Sequence, residues 1–298
     1  MSGWLAEIQA KCVGRIAFEV LAEDQTAAVI GTTSQGVFVR SASGWVIFCS
    51  FDAYRGPLTV TLAEPPDQLR LTQPGSSAGI SSGRLMFPAI GVSIQAQQGA
   101  VWQPAPVSSA PRPVPEQLST LDYLAREAVG RRRDVGFSVL LPPLLGLPEP
   151  GDIHWDQETL LQSVLLVRRA LWERDVSAVV DGLSGLLGVG RGLTPSGDDF
   201  IIGLLLVLNR WRVESWPHVG LRRLNQEVTD AAYQRTTRLS ANMIECAALG
   251  EADERLVAVA DCISVGDPPE AECVSRVLGW GASSGTDALT GMAVAVTC

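Results

Sequence analysis

Gln103-Pro-Ala-Pro-Val-Ser-Ser-Ala-Pro-Arg-Pro-Val-Pro-Glu116 divides this 298-residue chain into two parts of different character. Its prolines (Pro104, Pro106, Pro111, Pro113 and Pro115) favour extended polyproline structure, so the stretch reads as a semi-rigid linker or a strap across a surface. Before it come short segments rich in β-branched residues: Ala27–Ile30, Val37–Arg40, Trp45–Cys49, Leu58–Leu62 and Val92–Gln95. Gly31, Gly36, Gly44, Gly56-Pro57 and Pro65-Pro66 punctuate them as turn residues. The even spacing predicts an antiparallel β barrel or sandwich-like domain over residues 1–103, led by a helix over 2–22. After the prolines the apolar period becomes helical. Leu118, Leu121, Leu124 and Ala128 share one face of a helix that closes on Arg131–Arg133. A proline-broken segment, 142–150, precedes a second helix marked by Leu160, Leu161, Val164, Leu165 and Leu171. Further helices are expected over 176–187, 198–212, 220–249, 252–264, 270–279 and 287–296. The reading is an α+β chain: a β-rich domain over 1–103, a linker over 104–115 and a mainly α-helical domain over 116–298.

Composition bounds the function. Hydrophobic residues make up 46% and charged ones 18%, enough apolar material for packed cores and the reverse of a disordered chain. The net charge is -9, and residues up to Pro113 carry seven basic and seven acidic side chains, so the whole excess lies in the helical part. A nucleic-acid binder needs a basic surface to neutralise phosphates, so that class is excluded. His154 and His218 are too far apart for a zinc motif. Cys12, Cys49, Cys246, Cys262, Cys273 and Cys298 make no C-x-x-C pair and no compact framework. Free thiols in a chain of this length suit a reducing compartment. The first thirty residues lack a signal-peptide pattern, and the apolar run Phe200–Leu208 is too short to span a bilayer. A cytoplasmic protein without a membrane or nucleic-acid partner is expected.

Chemistry concentrates in Gly188-Val-Gly-Arg-Gly-Leu-Thr-Pro-Ser-Gly-Asp-Asp-Phe-Ile-Ile-Gly203. No Lys-Ser/Thr follows the glycines, so this is not a P-loop. The spacing also fails the dinucleotide fingerprint, and no strand precedes it. It offers a glycine loop entering a helix near Ser196. Gly190 and Gly192 let backbone approach a ligand, the helix start favours an anion, and Arg191 is a permanently charged planar donor. Its core recurs: Ser196-Gly197-Asp198-Asp199-x-x-x-Gly203 matches Ser284-Gly285-Thr286-Asp287-x-x-x-Gly291. One reading is architectural, since a serine with an acid three residues on makes a capping box and the last glycine lets two helices cross closely. The other places both helix starts on one cavity. Thr194, Ser196, Gly197, Ser283, Ser284 and Gly285 would then bind a small carboxylate or phosphate beside Asp198, Asp199 and Asp287.

These motifs carry a resemblance. Gly192-Leu-Thr-Pro-Ser-Gly-Asp-Asp-Phe200, with Gly281-Ala-Ser-Ser-Gly-Thr-Asp-Ala-Leu-Thr-Gly291, resembles a bacterial family, formerly of unassigned function, that includes one subunit of the oxamate carbamoyltransferase of anaerobic allantoin degradation. Thr236-Thr-Arg-Leu-Ser-Ala-Asn242 is similar to a third family signature. The resemblance covers the C-terminal half and implies carbamoyl transfer among oxamate, carbamoyl phosphate and related small anions, beside other protein subunits.

From residue chemistry, amides at the two helix starts and Arg191 would stabilise phosphate and a carbonyl oxygen gaining charge. Asp198 or Asp199 would orient an attacking amino group or accept its proton, with Asp287 as a third carboxylate. Adjacent carboxylates repel phosphate unless a cation intervenes, so Asp198 and Asp199 are also candidate Mg²⁺ ligands. That opens an alternative, a Mg²⁺-dependent hydrolase or phosphotransferase built on the Asp cluster. A further alternative is a non-catalytic scaffold subunit. Arg238, Ser240 and Asn242, with Arg235 and Thr237 nearby, would line the cavity or form a solvated face. Arg131–Arg133 reads more simply as complement to a helix dipole than as a phosphate site. His154 reads as a loop or helix-entry residue rather than an acid or base, His218 takes no role, and no cysteine has a neighbouring base.

Overall fold

The computed structural model describes residues 6–131, 136–147, 155–211 and 216–298. The chain forms two compact units, Met1–Ala105 and Pro106–Cys298.

In the first unit the strands are β1 (Ala6–Gly14), β2 (Gln25–Thr33), β3 (Gly36–Ser41), β4 (Val46–Ser50), β5 (Thr59–Leu62), β6 (Ser77–Ser81), β7 (Arg84–Phe87), β8 (Val92–Gln95) and β9 (Ala100–Trp102). Helix α1 (Arg15–Leu21) follows β1, and α2 (Asp67–Arg70) is a single turn. The order β5-β4-β3-β2-β6-β7-β8-β1 closes through a β1–β5 pairing, giving an eight-stranded barrel to which β9 adds along β1. Closure depends on β1. Its Ala6–Gln9 half pairs with β8, a register shift follows Ala10, and Ala10–Val13 turns to β5. Closure removes the exposed edges that an open sheet would present. The β1–β8, β1–β9 and β4–β5 pairings are parallel and the others antiparallel. Val13, Val29, Val39, Ile47, Val60, Leu85 and Ile94 fill the interior.

The helix expected over 2–22 is instead a strand followed by a short helix, with residues 2–5 outside the described residues. Ala6-Glu-Ile-Gln-Ala-Lys-Cys-Val13 has helix-favouring composition, but its exposure alternates as a strand's does, and barrel pairing outweighs a propensity of a few tenths of a kcal/mol per residue. Gly14 ends the strand, because a Cβ there would stand 2.0 Å from the Gly56 carbonyl oxygen.

The second unit is helical: α3 (Val114–Arg131), a 3₁₀ turn (Gly136–Leu140), α4 (Leu141–Leu145), α5 (Trp155–Glu173), α6 (Val176–Leu186), α7 (Ser196–Trp211), α8 (His218–Arg235), α9 (Arg238–Ala248), α10 (Glu254–Val265), α11 (Glu270–Leu278) and α12 (Ser284–Val296). Helices α7 and α12 form its centre. Every residue of Gly197–Leu208 and of Gly285–Val296 is buried, the pattern of helices covered on all faces. The single helix expected over 220–249 is two. Thr236 is extended at φ -132° and ψ -172°, and Thr237 caps α9 by accepting a bond from the Ser240 N–H. The apolar period runs through both helices, so only the Thr-Thr pair marks the break.

Arg112, from the proline-rich stretch, caps α10. Its backbone N–H donates to the Ser264 carbonyl at 2.7 Å, and one guanidinium nitrogen donates to the carbonyls of Cys262 and Ile263, each at 3.0 Å. These are the orphan acceptors of a helix C-terminus, where a cation also matches the dipole. Arg112→Ala is expected to cost about 1–3 kcal/mol, read as a lower urea midpoint. An unchanged midpoint would show that water replaces the cap.

Candidate functional site

The glycine loop joins α6 to α7, with Gly188, Gly190 and Gly192 at φ +74°, +119° and +103°. Two fasteners hold it. The Gly188 N–H donates to Asp198 Oδ1 at 2.8 Å, and the Thr237 hydroxyl donates to the Leu193 carbonyl at 2.9 Å. The second Asp198 oxygen accepts from the Thr236 hydroxyl. Asp198 is thus fully buried with both oxygens committed to the loop and to the break between α8 and α9. Val189, Arg191 and Leu193 are exposed along the loop.

The repeated motif forms one crossing of two helices, related by an approximate twofold exchange. A Cβ on Gly203 would stand 1.9 Å from the Ala288 carbonyl oxygen, and one on Gly291 would stand 1.9 Å from that of Phe200. The second glycines do the same one helix earlier. A Cβ on Gly197 would meet the Leu186 carbonyl oxygen at 2.0 Å, and one on Gly285 would meet that of Val277 at 1.9 Å. The loop glycines Gly190 and Gly281 leave room for Ser196 and Ser284.

Both helix starts lie at the same end of the crossing, and their polar side chains reach across it. The Ser284 hydroxyl lies against the Asp199 carboxyl and the Ser196 hydroxyl against that of Asp287, each favouring the ionised form. The Thr194 hydroxyl donates to Asp199 Oδ2 at 3.2 Å and lies 3.4 Å from the Ser284 hydroxyl. Asp287 Oδ1 accepts from the Phe137 N–H at 2.6 Å. Gly136, at φ +62°, makes that approach feasible, since a Cβ there would stand 2.3 Å from the same oxygen. Asp199 and Asp287 are both completely buried. Burial pushes Asp199 well above the usual carboxylate range, aided by the charges of Asp287 and Asp198 and opposed by the two hydroxyls. Burial pushes Asp287 up to about 6, opposed by Ser196, the Phe137 amide and Ser283.

The capping-box reading of the serines differs from this geometry. Ser196 and Ser284 are the first residues inside their helices, one position too late to cap. Ser283, which does precede α12, makes no side-chain cap bond. The Asp198 and Asp199 N–H groups bond the Pro195 carbonyl instead of a side chain. The close-crossing half of that reading holds for all four motif glycines.

Residues 186–296, which span both motifs, match the family model described as oxamate carbamoyltransferase subunit AllH. The match covers the glycine loop and both Ser-Gly-x-Asp helix starts and shows a similarity to that family over this part of the chain. No solved structure matches the chain.

Within the matched region the structure brings Gly190, Arg191, Gly192, Thr194, Ser196, Gly197, Asp198, Asp199, Ser283, Ser284, Gly285 and Asp287 to the paired helix starts and the loop leading into them. The third signature serves differently. Arg238 is exposed with its guanidinium 4.8 Å from the Tyr233 ring centroid, and Asn242 donates to the Tyr233 hydroxyl at 2.8 Å. Ser240 is buried and hydrogen-bonded to Thr237, so it secures the loop's anchor. Arg235 donates to the Ser184 carbonyl at 3.0 Å. Thr236, Gly136 and the Phe137 amide were not singled out from sequence as site residues. Thr236 at least stands inside a quoted signature, whereas nothing local marks Gly136. Among the described residues no three His, Cys, Asp or Glu side chains are placed to hold a metal ion, and the two oxygens of Asp198 are already taken. A Mg²⁺ ion on Asp198 would have to share or displace those two hydrogen bonds. His154, Arg132 and Arg133 lie outside the described residues, as does the side chain of Arg131. No helix among the described residues is long and apolar enough to cross a membrane.

Proposed function

We propose that this chain is one subunit of a carbamoyltransferase acting on oxamate or carbamoyl phosphate, and that it binds the anionic end of such a ligand on the Gly188–Thr194 loop. The observation that carries the reading is the loop's backbone. The N–H groups of Gly190, Arg191, Gly192, Leu193, Thr194 and Ser196 make no hydrogen bond among the described residues, while Asp198 and Thr237 hold the loop in place. Successive free amides on alternating left-handed glycines form an anion-binding concavity, and the exposed Arg191 adds a fixed positive charge. The match to a carbamoyltransferase subunit family over these residues supports the ligand class and the need for other protein subunits. A purely architectural subunit is the competing reading, and the four glycine contacts favour it for those four residues. It leaves the free amides and the two buried carboxyls unexplained.

The test is a thermal-shift titration of the whole chain with oxamate, carbamoyl phosphate and inorganic phosphate. A ligand that binds only the folded state raises Tm with the logarithm of its concentration above Kd. Oxamate or carbamoyl phosphate is expected to raise Tm, and Arg191→Ala to weaken that binding by about tenfold or more, the worth of a charge-assisted hydrogen bond. Equal binding by the variant would remove Arg191 from the site. No shift with any ligand would remove the site from this chain.

A further inference from the structure

The two carboxyls at the helix crossing hold more than packing requires. Asp199 Oδ1 and Asp287 Oδ2 are buried and make no hydrogen bond among the described residues, although each carboxyl's other oxygen is bonded. No basic side chain among the described residues bonds either one. Two buried carboxyls close enough for the charge of Asp287 to raise Asp199 resist ionising together, because that charge adds to the desolvation. The helix ends set a matching limit. Each helix start carries roughly half a positive charge, so two together offset about one negative charge and not two.

We propose that Asp199 and Asp287 hold one proton between them, and that Ser284 and Ser196 relay it to a small polar ligand lying on the hydroxyl-lined surface above. Each carboxyl has one orphan oxygen on which to carry that proton. At any moment one Ser–Asp couple is an acid and the other a base. Only the ligand's identity rests on the carbamoyl-transfer reading. When a carbamoyl group passes from a phosphate oxygen to an amide nitrogen, the C–O bond breaks, a C–N bond forms and the nitrogen loses one proton. The ionised couple takes that proton and the protonated couple gives one to the departing oxygen, so the pair ends with the count it began with. The reverse transfer exchanges the two roles. Ser196 and Ser284 are the groups that would touch ligand; Asp199 and Asp287 act through them. The other groups on the pair are Asp198, a third negative charge from α7, and three uncharged donors: the Phe137 N–H from the 3₁₀ turn, Thr194 from the loop and Ser283 before α12.

The experiment is a carbon NMR titration of the whole chain labelled at the aspartate carboxyls, without ligand. Asp199 and Asp287 are expected to trace one common two-step curve, as interacting groups do. Ser284→Ala is expected to move the Asp199 steps to higher pH, and Ser196→Ala those of Asp287. Two independent single-step curves, or a carboxyl ionised throughout, would overturn the shared proton. Serine variants that leave both curves unchanged would overturn the relay. Neither serine variant removes a buried carboxyl, so both remain informative if an Asp199→Asn chain fails to fold. Oxamate affinity, measured in parallel, is expected to change about tenfold over the upper step, because proton and ligand binding are reciprocally linked. Binding that ignores pH would also overturn the relay. A common two-step curve with no oxamate or carbamoyl phosphate binding would instead sink the carbamoyl reading while the shared proton stands.

Discussion

Gly291→Ala is expected to unfold the helical unit, or to destabilise it by upwards of about 3 kcal/mol. Propensity alone argues the other way, since alanine in a helix interior is worth about 1 kcal/mol over glycine. The added methyl would stand 1.9 Å from the Phe200 carbonyl oxygen and close to the Leu204 amide. Those atoms belong to the backbone of a helix buried on every side, so neither a rotamer change nor a small shift can clear them. Overpacking a rigid core costs about 1–3 kcal/mol when side chains can yield, and more when backbone must. The clash therefore outweighs the propensity gain. Gly203→Ala is expected to behave alike, against the Ala288 carbonyl. Gly185 supplies the control. It lies in α6 with nothing within 4 Å of a built Cβ, so Gly185→Ala is expected to be neutral or stabilising by up to about 1 kcal/mol. Urea unfolding of the three variants decides the matter, and a Gly291→Ala midpoint equal to the parent's would refute the close crossing.

Asp287→Asn is expected to remove a loss of stability that the parent suffers as pH rises from about 4 to 7. The folded-state pKa of Asp287 is raised, from the usual 3.8 to about 6, with burial as the main cause. The native state therefore holds a proton that the unfolded state releases at lower pH. This contribution is fully present below the unfolded value and disappears as pH rises through the folded one. A shift of about two units corresponds to about 3 kcal/mol. Asp199 is shifted the same way and carries the decline to higher pH. Asparagine keeps the volume, still accepts from the Phe137 N–H and can donate to Asp199, so the variant's stability should fall less steeply. Urea midpoints at several pH values for the two proteins test this. Parallel curves would show that Asp287 does not titrate in the native state.

The barrel shows how far periodicity can be read. β2, β3, β4, β5 and β8 each overlap an expected strand, because β-branched runs between glycine and proline turns are a local signal. β1, β6, β7 and β9 were missed. Ser77-Ala-Gly-Ile-Ser81 carries a single β-branched residue, and its strand character comes from pairing with β2 and β7. β1 reads as helix until its three pairing partners are known. In the helical unit the apolar stripes located α3, α5, α6, α7, α10, α11 and α12, but ran straight across Thr236 and Thr237.

At the site, chemistry and geometry separate. The glycine loop, the two Ser-Gly-x-Asp helix starts and the family resemblance were all legible in the order of residues, since each is a short-range pattern. The repeat even suggested that the two starts face one another. What the repeat is for was not legible. Its serines look like caps in sequence, yet they reach across to the opposite helix. Its adjacent aspartates look equivalent, yet Asp198 fastens a loop while Asp199 accepts from Thr194 and lies against Ser284 of the opposite helix. The apolar faces and the two motif positions are legible in the order of residues, because turn chemistry and side-chain periodicity act between near neighbours. That Gly291 meets the Phe200 carbonyl, that the Phe137 amide meets Asp287, and that Asp199 and Asp287 are both buried at paired helix starts emerges only with the folded chain. Those contacts join segments far apart along the chain, and the burial that raises both carboxyls exists only once the two helices have crossed.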